Sequence, residues 1–401
     1  MAGEINLASS SGDGKAPVED NSKKVDLVFE GGGVKGIALV GALAVLEEQG
    51  YQPQNVAGTS AGAICAALVA AGYKASEVHE IIANLDFNKL RDTAWEDDIP
   101  VFGAPLSLLK DQGIYEGRYL QDLMSDLLKA KNIVTFRDLV HEEFGKSDDW
   151  MDPKYKYKLQ VIASDLTGRC MLSLPNDAAK LGIDPDDLNV AWAVRMSMSI
   201  PIFFEPVWFP NPKTGEQHLI VDGGMLSDYP VWLFDSPGIP SWPTFGLRLV
   251  EPDAKANIGE QIPEWQVVRR GGIQGALTYM KALVGTMTGF YDRLYIEKAD
   301  FARTIPISTL GVSSIDFGLP RERIDALYES GREAGEKFLS TWSFDGYIEA
   351  FRTGKEYHRT EEVARIIEQG GEPSPTQVSL QSAVQSPAHP AMQSGLGTDG
   401  S

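Results

Sequence analysis

The sequence predicts an α/β domain of three layers, in which helices cover both faces of a mainly parallel central sheet. Strand-like apolar runs alternate with helix-like segments through the middle of the chain, and this alternation is typical of α/β folds. The first two strand-like runs each lead through a glycine-containing turn into a helix-like segment. Beyond residue 262 the pattern becomes mostly helical, so we expect a helical C-terminal region, or cap, at about 262–351.

The individual elements follow from apolar patterning and from the residues that end each run. Short runs rich in branched apolar and aromatic residues predict strands, and longer runs that stop at Gly50 or Gly72 predict helices. In chain order, strands are predicted at 25–29, 55–58, 157–166, 170–174, 205–209, 218–224 and 244–250. Helices are predicted at 35–49, 61–71, 75–84 and 117–128.

The two ends of the chain differ in composition from the middle. Residues 1–24 are polar and contain few bulky apolar residues, and residues 370–401 are rich in Ser, Gln, Pro and Gly. Both compositions predict disorder, because they offer too little apolar surface to bury. No strong linker lies inside 25–365, so we expect a single elaborated domain there, between an N-terminal arm and a C-terminal tail.

The composition is that of an acidic globular protein. The formal net charge of -20 argues against a nucleic acid partner and against electrostatic docking on anionic lipid. A local apolar surface remains compatible with peripheral contact to a membrane or a lipid aggregate. Cys65 and Cys170 are too few for a disulfide framework, and neither a signal peptide nor a membrane-spanning run is evident, so we expect a cytoplasmic protein. Composition leaves the oligomeric state open.

The second predicted strand ends in "GTSAG", residues 58–62, which fits the Gly-x-Ser-x-Gly pattern of a nucleophile elbow. A serine at a sharp strand-to-helix turn projects its oxygen above the sheet, at the positive end of the following helix. Gly58 and Gly62 would let strand and helix approach closely at that turn. The pattern therefore makes Ser60 a candidate nucleophile, and the simpler alternative is a serine that only caps the helix.

The first predicted strand leads into "EGGGVKG", residues 30–36. Backbone amides that glycine leaves free at the start of a helix are suited to hold an anion. The spacing also fits the dinucleotide-binding fingerprint, but that fingerprint needs an acidic residue at the end of the next strand, where this chain has Gly58, Thr59 and Ser60. No Gly-Lys-Ser/Thr follows, which excludes a P-loop.

A serine nucleophile needs a base, and none of the five histidines is well placed to supply it. His218 and Asp222 share one predicted strand and would lie about 13 Å apart along it. Asp222 comes where that strand gives way to Gly223 and Gly224, so it is a candidate base, and the simpler alternative is a turn aspartate. No cluster of His, Cys and carboxylate residues has ligand spacing, so neither a metal nor an organic cofactor is expected.

"EGGGVKG", "GTSAG" and "DGG" occur in that order, and together they resemble the signature blocks of patatin-like phospholipases. "SMSIPIFFEPV", residues 197–207, resembles a further block of that family, and the resemblance covers about residues 25–340. It implies a patatin-like fold and a lipid acyl hydrolase of the phospholipase A, lysophospholipase or carboxylesterase type. The family uses a serine and an aspartate without histidine, which agrees with the histidine positions here.

Residue by residue, the resemblance makes Ser60 the nucleophile and Asp222 the general base. It makes Gly31 to Gly36 an oxyanion loop, whose expected donors are the amides of Gly32, Gly33 and Val34, with Ala61 as a further candidate. Lys35 beside the loop is expected either to hold a phosphate headgroup, to stabilise the loop, or simply to be solvated.

Several points stay open at this stage. The apolar segments 99–110 and 273–295 are expected to be ordinary core or, alternatively, a lid or acyl channel, and residues 196–204 are a candidate wall of the site. An acyltransferase or transacylase would use the same two residues. A lipid-binding regulatory module with little turnover is the alternative from outside the enzymes.

Overall fold

The computed structural model describes residues 21–85, 113–115, 117–146, 152–236, 238–252, 298–314, 316 and 318–353. Most of the expected N-terminal arm, the segments 99–110 and 273–295, the first part of the expected cap and the C-terminal tail lie outside the described residues. The roles predicted for those segments therefore remain predictions.

The described chain alternates strands and helices. The strands are β1 (Lys24–Phe29), β2 (Gln52–Thr59), β3 (Gly113–Tyr115), β4 (Leu159–Asp165), β5 (Cys170–Leu174), β6 (Ile202–Phe204), β7 (Val207–Pro210), β8 (Gln217–Asp222), β9 (Thr244–Val250) and β10 (Thr304–Ser308). The helices are α1 (Gly36–Glu48), α2 (Ala61–Ala70), α3 (Ala75–Ala83), α4 (Arg118–Ala130), α5 (Val190–Ser197), α6 (Lys298–Ala302), α7 (Arg321–Leu339) and α8 (Phe344–Phe351). Short 3-10 turns connect several of these elements.

Eight of these strands form the central sheet, and β3 and β6 pair separately. Strands β10, β9, β1, β2 and β4 are parallel in that order. Strands β5 and β8 pair antiparallel with β4, and β7 pairs antiparallel with β8. The predicted α/β class with a mainly parallel central sheet is therefore confirmed, with an antiparallel extension at one side.

The register places β2 and β8 one after the other along the same edge of β4. Ile162 of β4 pairs with Thr59 of β2, and its neighbour Ala163 pairs with Asp222 of β8. Strand β5 occupies the opposite edge of β4 over the same residues. Because β8 runs against β4, the carboxyl ends of β2 and β8 point at each other, which brings the residues that follow both strands together.

One face of the sheet is covered by helices. Helix α1 is buried from Gly36 to Leu46, and α7 crosses it at close range. A Cβ on Gly331 of α7 would lie 1.9 Å from the carbonyl oxygen of Ala38, so this crossing depends on glycine. The opposite face packs against the 3-10 turn Val231–Phe234 and neighbouring aromatic side chains.

Four elements differ from the prediction, and two of them are the short strands β3 and β6, for which no strand was predicted. Helix α5 was not predicted; its start is fixed by Asn189, whose side chain accepts a hydrogen bond from the Trp192 amide at 2.9 Å. Strand β10 lies in the region expected to be mostly helical. Among the described strands it lies at the edge of the sheet, where Pro306 is tolerated because one side of the strand has no partner strand there.

Candidate active site

Ser60 lies at a strained turn between β2 and α2. Its φ of 53° and ψ of -125° fall outside the conformations that residues with a side chain normally adopt. Ser60 is the N-cap residue of α2, but its side chain makes no capping hydrogen bond. The hydroxyl is therefore not used as a helix cap, and the simpler alternative for this serine is not supported.

The glycines on either side of Ser60 permit the tight turn. A Cβ on Gly58 would lie 2.2 Å from the carbonyl oxygen of Gly62, and a Cβ on Gly62 would lie 2.3 Å from that of Phe29. Gly36 also faces α2, since a Cβ there would be 3.1 Å from Cβ of Ala61. The close approach of strand and helix expected from the pattern is present.

Asp222 ends β8 and begins the turn that carries Gly223 and Gly224. Its Oδ1 accepts the amide of Gly224 at 2.8 Å, and its own amide donates to the carbonyl of Ser199 at 2.9 Å. Among the described residues its Oδ2 is buried and has no hydrogen-bond partner. A Cβ on Gly223 would lie 2.3 Å from the carbonyl oxygen of Ile162, so the turn packs directly against β4.

Burial raises the pKa of Asp222 to about 7, well above the usual 3.8 for an aspartate. The Ser60 side chain and the Gly224 amide oppose that rise by favouring the charged carboxylate. The pairing of β2 and β8 with neighbouring residues of β4 brings Ser60 near this carboxylate, although no hydrogen bond of normal geometry reaches Oδ2. In this arrangement the Ser60 hydroxyl contacts Sδ of Met198 at 3.5 Å instead.

Some backbone amides of the glycine loop donate hydrogen bonds within the protein, and others are free to act as donors. The Gly31 amide donates to the carbonyl of Asp228, and the Val34 amide donates to the carbonyl of Ser314, both at 3.1 Å. Gly31 was predicted as part of the oxyanion loop and Val34 as one of its donors, but both amides are already bonded inside the protein, so neither is a free donor in this structure. The remaining predicted donors have no partner among the described residues, and they are the amides of Gly32, Gly33 and Ala61.

Lys35 is held against the end of β9. Its Nζ lies 3.5 Å from Oε1 of Glu251, and its side chain is only 12% exposed. The expectation of a simply solvated lysine is therefore wrong, and the contact fits the expectation that Lys35 stabilises the loop.

A second carboxylate near the site was not predicted. Oδ1 of Asp228 would be 2.1 Å from a Cβ on Gly31 and 2.8 Å from a Cβ on Gly224, so it lies between the two glycine turns. Its position depends on the long turn after Asp222, and the local sequence pattern gives no signal for it.

The described histidines contact residues other than Ser60. His218 pairs with Oδ2 of Asp165 at 2.7 Å, His141 bonds Asn55, and His79 packs against Tyr328. His358 and His389 lie outside the described residues. In the part of the chain that the structure describes, no group of His, Cys, Asp and Glu side chains is arranged to hold a metal ion. The helices described here are too short or too polar to cross a bilayer.

Known proteins resemble this chain in sequence over half or more of its length. The sequence model described as "Patatin-like phospholipase" matches residues 27–235. "Uncharacterized protein YqhO" of Bacillus subtilis is 37% identical over 326 residues, which is 80% of this chain and 99% of that protein. "Patatin-like phospholipase domain-containing protein 7" of Rattus norvegicus is 22% identical over 81% of this chain but only 21% of its own length.

Among solved structures, the crystal structure of VipD from Legionella pneumophila matches 80% of this chain and 67% of that chain, at 18% identity and a TM-score of 0.44. The family model covers the glycine loop, the Ser60 turn and the Asp222 turn together. Because the family model matches residues 27–235 and the Bacillus protein is 37% identical over 80% of this chain, the chain belongs to the patatin-like phospholipase family.

Proposed function

We propose that this protein hydrolyses fatty-acyl esters of lipids through an acyl-serine intermediate on Ser60, with Asp222 as the general base. Membership of the patatin-like phospholipase family supports lipid acyl hydrolase activity in general. One observation carries the finer proposal. Ser60 has a strained backbone and makes no capping hydrogen bond, and it follows a strand whose end meets the end of the strand that carries Asp222, a buried carboxylate with a pKa of about 7. That pKa suits a base that must accept and return a proton near neutral pH.

In the first half of the reaction, the Ser60 oxygen attacks the ester carbonyl carbon and its proton passes to Asp222. The carbonyl oxygen gains negative charge, and we expect the free amides of Gly32, Gly33 and Ala61 to stabilise it. When the tetrahedral intermediate collapses, the bond to the alcohol breaks and Asp222 returns the proton to the leaving oxygen. The fatty acyl group remains on Ser60.

In the second half, Asp222 takes a proton from water as the water oxygen attacks the acyl-serine. The same amides hold the second oxyanion, and the free fatty acid leaves as Ser60 regains its proton. The unpartnered Oδ2 of Asp222 is the oxygen available for these transfers. Both halves use only groups of this chain, the ester and water.

The test compares wild type, Ser60→Ala and Asp222→Asn on p-nitrophenyl esters of increasing chain length and on a diacyl phospholipid in micelles. Ser173→Ala serves as a matched control, because Ser173 is also a buried serine but bonds Gln160 on a different part of the sheet. We expect both site variants to lose turnover, and a fluorophosphonate probe to label only proteins that retain Ser60.

Wild-type turnover in both site variants would refute the proposed pair. If a histidine variant lost as much turnover as Ser60→Ala, a Ser-His-Asp triad would replace the proposed pair. Absence of probe labelling and of ester cleavage in the wild type would favour a lipid-binding module. Added glycerol or lysolipid distinguishes acyl transfer from hydrolysis, since a transacylase would yield a new ester in place of free fatty acid.

A further inference from the structure

The turn that ends α5 contacts both members of the proposed pair. We call residues 197–199 the α5 turn. The hydroxyl of Ser197 accepts the amide of Ser60, the sulfur of Met198 contacts the Ser60 hydroxyl, and the carbonyl of Ser199 accepts the amide of Asp222. Three consecutive residues thus hold a nucleophile and a base that come from different strands.

The Ser197 contact acts directly on the strained residue. Ser197 is fully buried, and its Oγ lies 2.9 Å from the amide nitrogen of Ser60. A residue at the φ and ψ of Ser60 persists only where its surroundings hold it there. The hydrogen bond fixes the peptide plane that enters Ser60, so it sets where the side-chain oxygen points. Without the hydroxyl of Ser197, a buried amide would lack its acceptor.

The other end of the α5 turn is anchored by a buried cation. Nη1 of Arg195 donates to the Ser199 hydroxyl, and that hydroxyl donates to the Arg195 carbonyl at 2.9 Å. Nη2 of Arg195 donates to the carbonyl of Glu205 at 2.8 Å. The chain is shaped around the guanidinium, since a Cβ on Gly117 would lie 2.2 Å from its Nε. The Ser199 carbonyl that receives the Asp222 amide is therefore fixed in place.

We propose that Ser197 is a positioning residue for the reaction, and that its hydroxyl holds the Ser60 turn in the reactive conformation. This inference rests on the proposed function of Ser60. Ser197 is fully buried and bonds the backbone amide of Ser60, so it acts through Ser60 and not on substrate. Its loss should lower kcat and leave KM little changed, because misplacement of a reacting atom by about 1 Å costs up to about 100-fold in rate.

The experiment compares wild type, Ser197→Ala, Ser197→Thr and the control Ser173→Ala. The measurements are kcat and KM on a short p-nitrophenyl ester, thermal unfolding, and hydrogen–deuterium exchange of the peptide that contains Ser60. For Ser197→Ala we expect kcat to fall about 10- to 100-fold with KM within about twofold of wild type, and the Ser60 peptide to exchange faster. Ser197→Thr keeps the hydroxyl and should lie nearer wild type in both readouts, and Ser173→Ala should keep wild-type kcat.

Should Ser197→Ala fail to fold, Ser197→Cys replaces it with the same expectation, because sulfur is a weaker acceptor in a side chain of similar size. Folded variants with wild-type kcat and unchanged exchange would overturn the proposal, as would a change confined to KM or an equal loss of kcat in Ser173→Ala. If the wild type shows no Ser60-dependent turnover, the proposed function fails on its own. The exchange comparison then decides whether Ser197 holds the Ser60 turn.

Discussion

Replacing Asp222 with asparagine should stabilise the folded chain at neutral and alkaline pH while it abolishes turnover. Asparagine has nearly the same shape and keeps an oxygen to accept the Gly224 amide, as Oδ1 of Asp222 does at 2.8 Å. It cannot ionise, so it resembles the protonated form of the aspartate. The comparison therefore isolates the free energy of holding a charged carboxylate in this buried position.

The magnitude follows from the pKa. A pKa of about 7 in the folded chain against an ordinary 3.8 corresponds to about 4 kcal/mol of unfolding free energy as an upper limit. Because the folded chain binds this proton more tightly than the unfolded chain, the stabilising contribution of the protonated form is complete below about pH 4. It is lost as pH rises to about 7. The unfolding free energy of Asp222→Asn should equal that of wild type at pH 4. Between pH 4 and pH 7 the wild type loses stability and the variant does not, so the difference between them should grow, and it should level off above pH 7.

Urea unfolding of both proteins at intervals from pH 4 to pH 8.5 measures this difference. Asp26 is also buried, and its pKa is also raised to about 7, so the wild-type curve alone mixes two carboxylates. The difference between wild type and Asp222→Asn removes Asp26, which both proteins contain. A gain of equal size at every pH would refute the reasoning, because it would indicate packing and not charge. So would a loss of stability above pH 7.

Three further outcomes are expected. The logarithm of kcat/KM should rise with a slope of about one up to about pH 7 as Asp222 ionises, and a flat profile from pH 5 to 8 would contradict its role as base. Gly33 has φ +56°, and a Cβ there would lie 2.0 Å from the Ser314 carbonyl oxygen, so an alanine would displace the loop. Gly33→Ala should therefore lower kcat about 100-fold. A change in KM alone would count against the oxyanion role of the loop. Met198 contacts the Ser60 hydroxyl, so Met198→Ala should shift the ratio of kcat/KM for long and short esters about tenfold, and an unchanged chain-length profile would remove Met198 from the wall of the site.

The sequence predicted the parts of the site that depend on local geometry. A strand, a glycine, a serine and a second glycine must form a tight turn before a helix, and Gly58 and Gly62 contact each other as that pattern requires. The Asp222 turn is local in the same sense, since the Gly224 amide two residues later bonds its carboxylate. Such short-range constraints can be inferred from spacing alone.

Long-range contacts decided the remainder. Whether a loop amide is free depends on an acceptor elsewhere in the chain, and the acceptors for Gly31 and Val34 are Asp228 and Ser314. The role of Ser197 depends in the same way on the meeting of α5 with the Ser60 turn. No periodicity or motif in a single sequence reports such pairings. Val34 was therefore counted among the donors, and residues 196–204 were expected only as a wall of the site, without the hydrogen bonds that the α5 turn makes to Ser60 and Asp222.

The meeting of β2 and β8 along one edge of β4 makes turnover a sensitive report of strand register. Asp222 stands opposite Ala163, and a slip of one residue in this pairing would turn its side chain to the other face of the sheet. The slipped protein would keep its secondary structure and most of its core. Ester cleavage would then distinguish the native pairing from a compact, misregistered state that circular dichroism cannot separate from it. Activity during refolding should therefore appear only after β8 has paired with β4 in the native register.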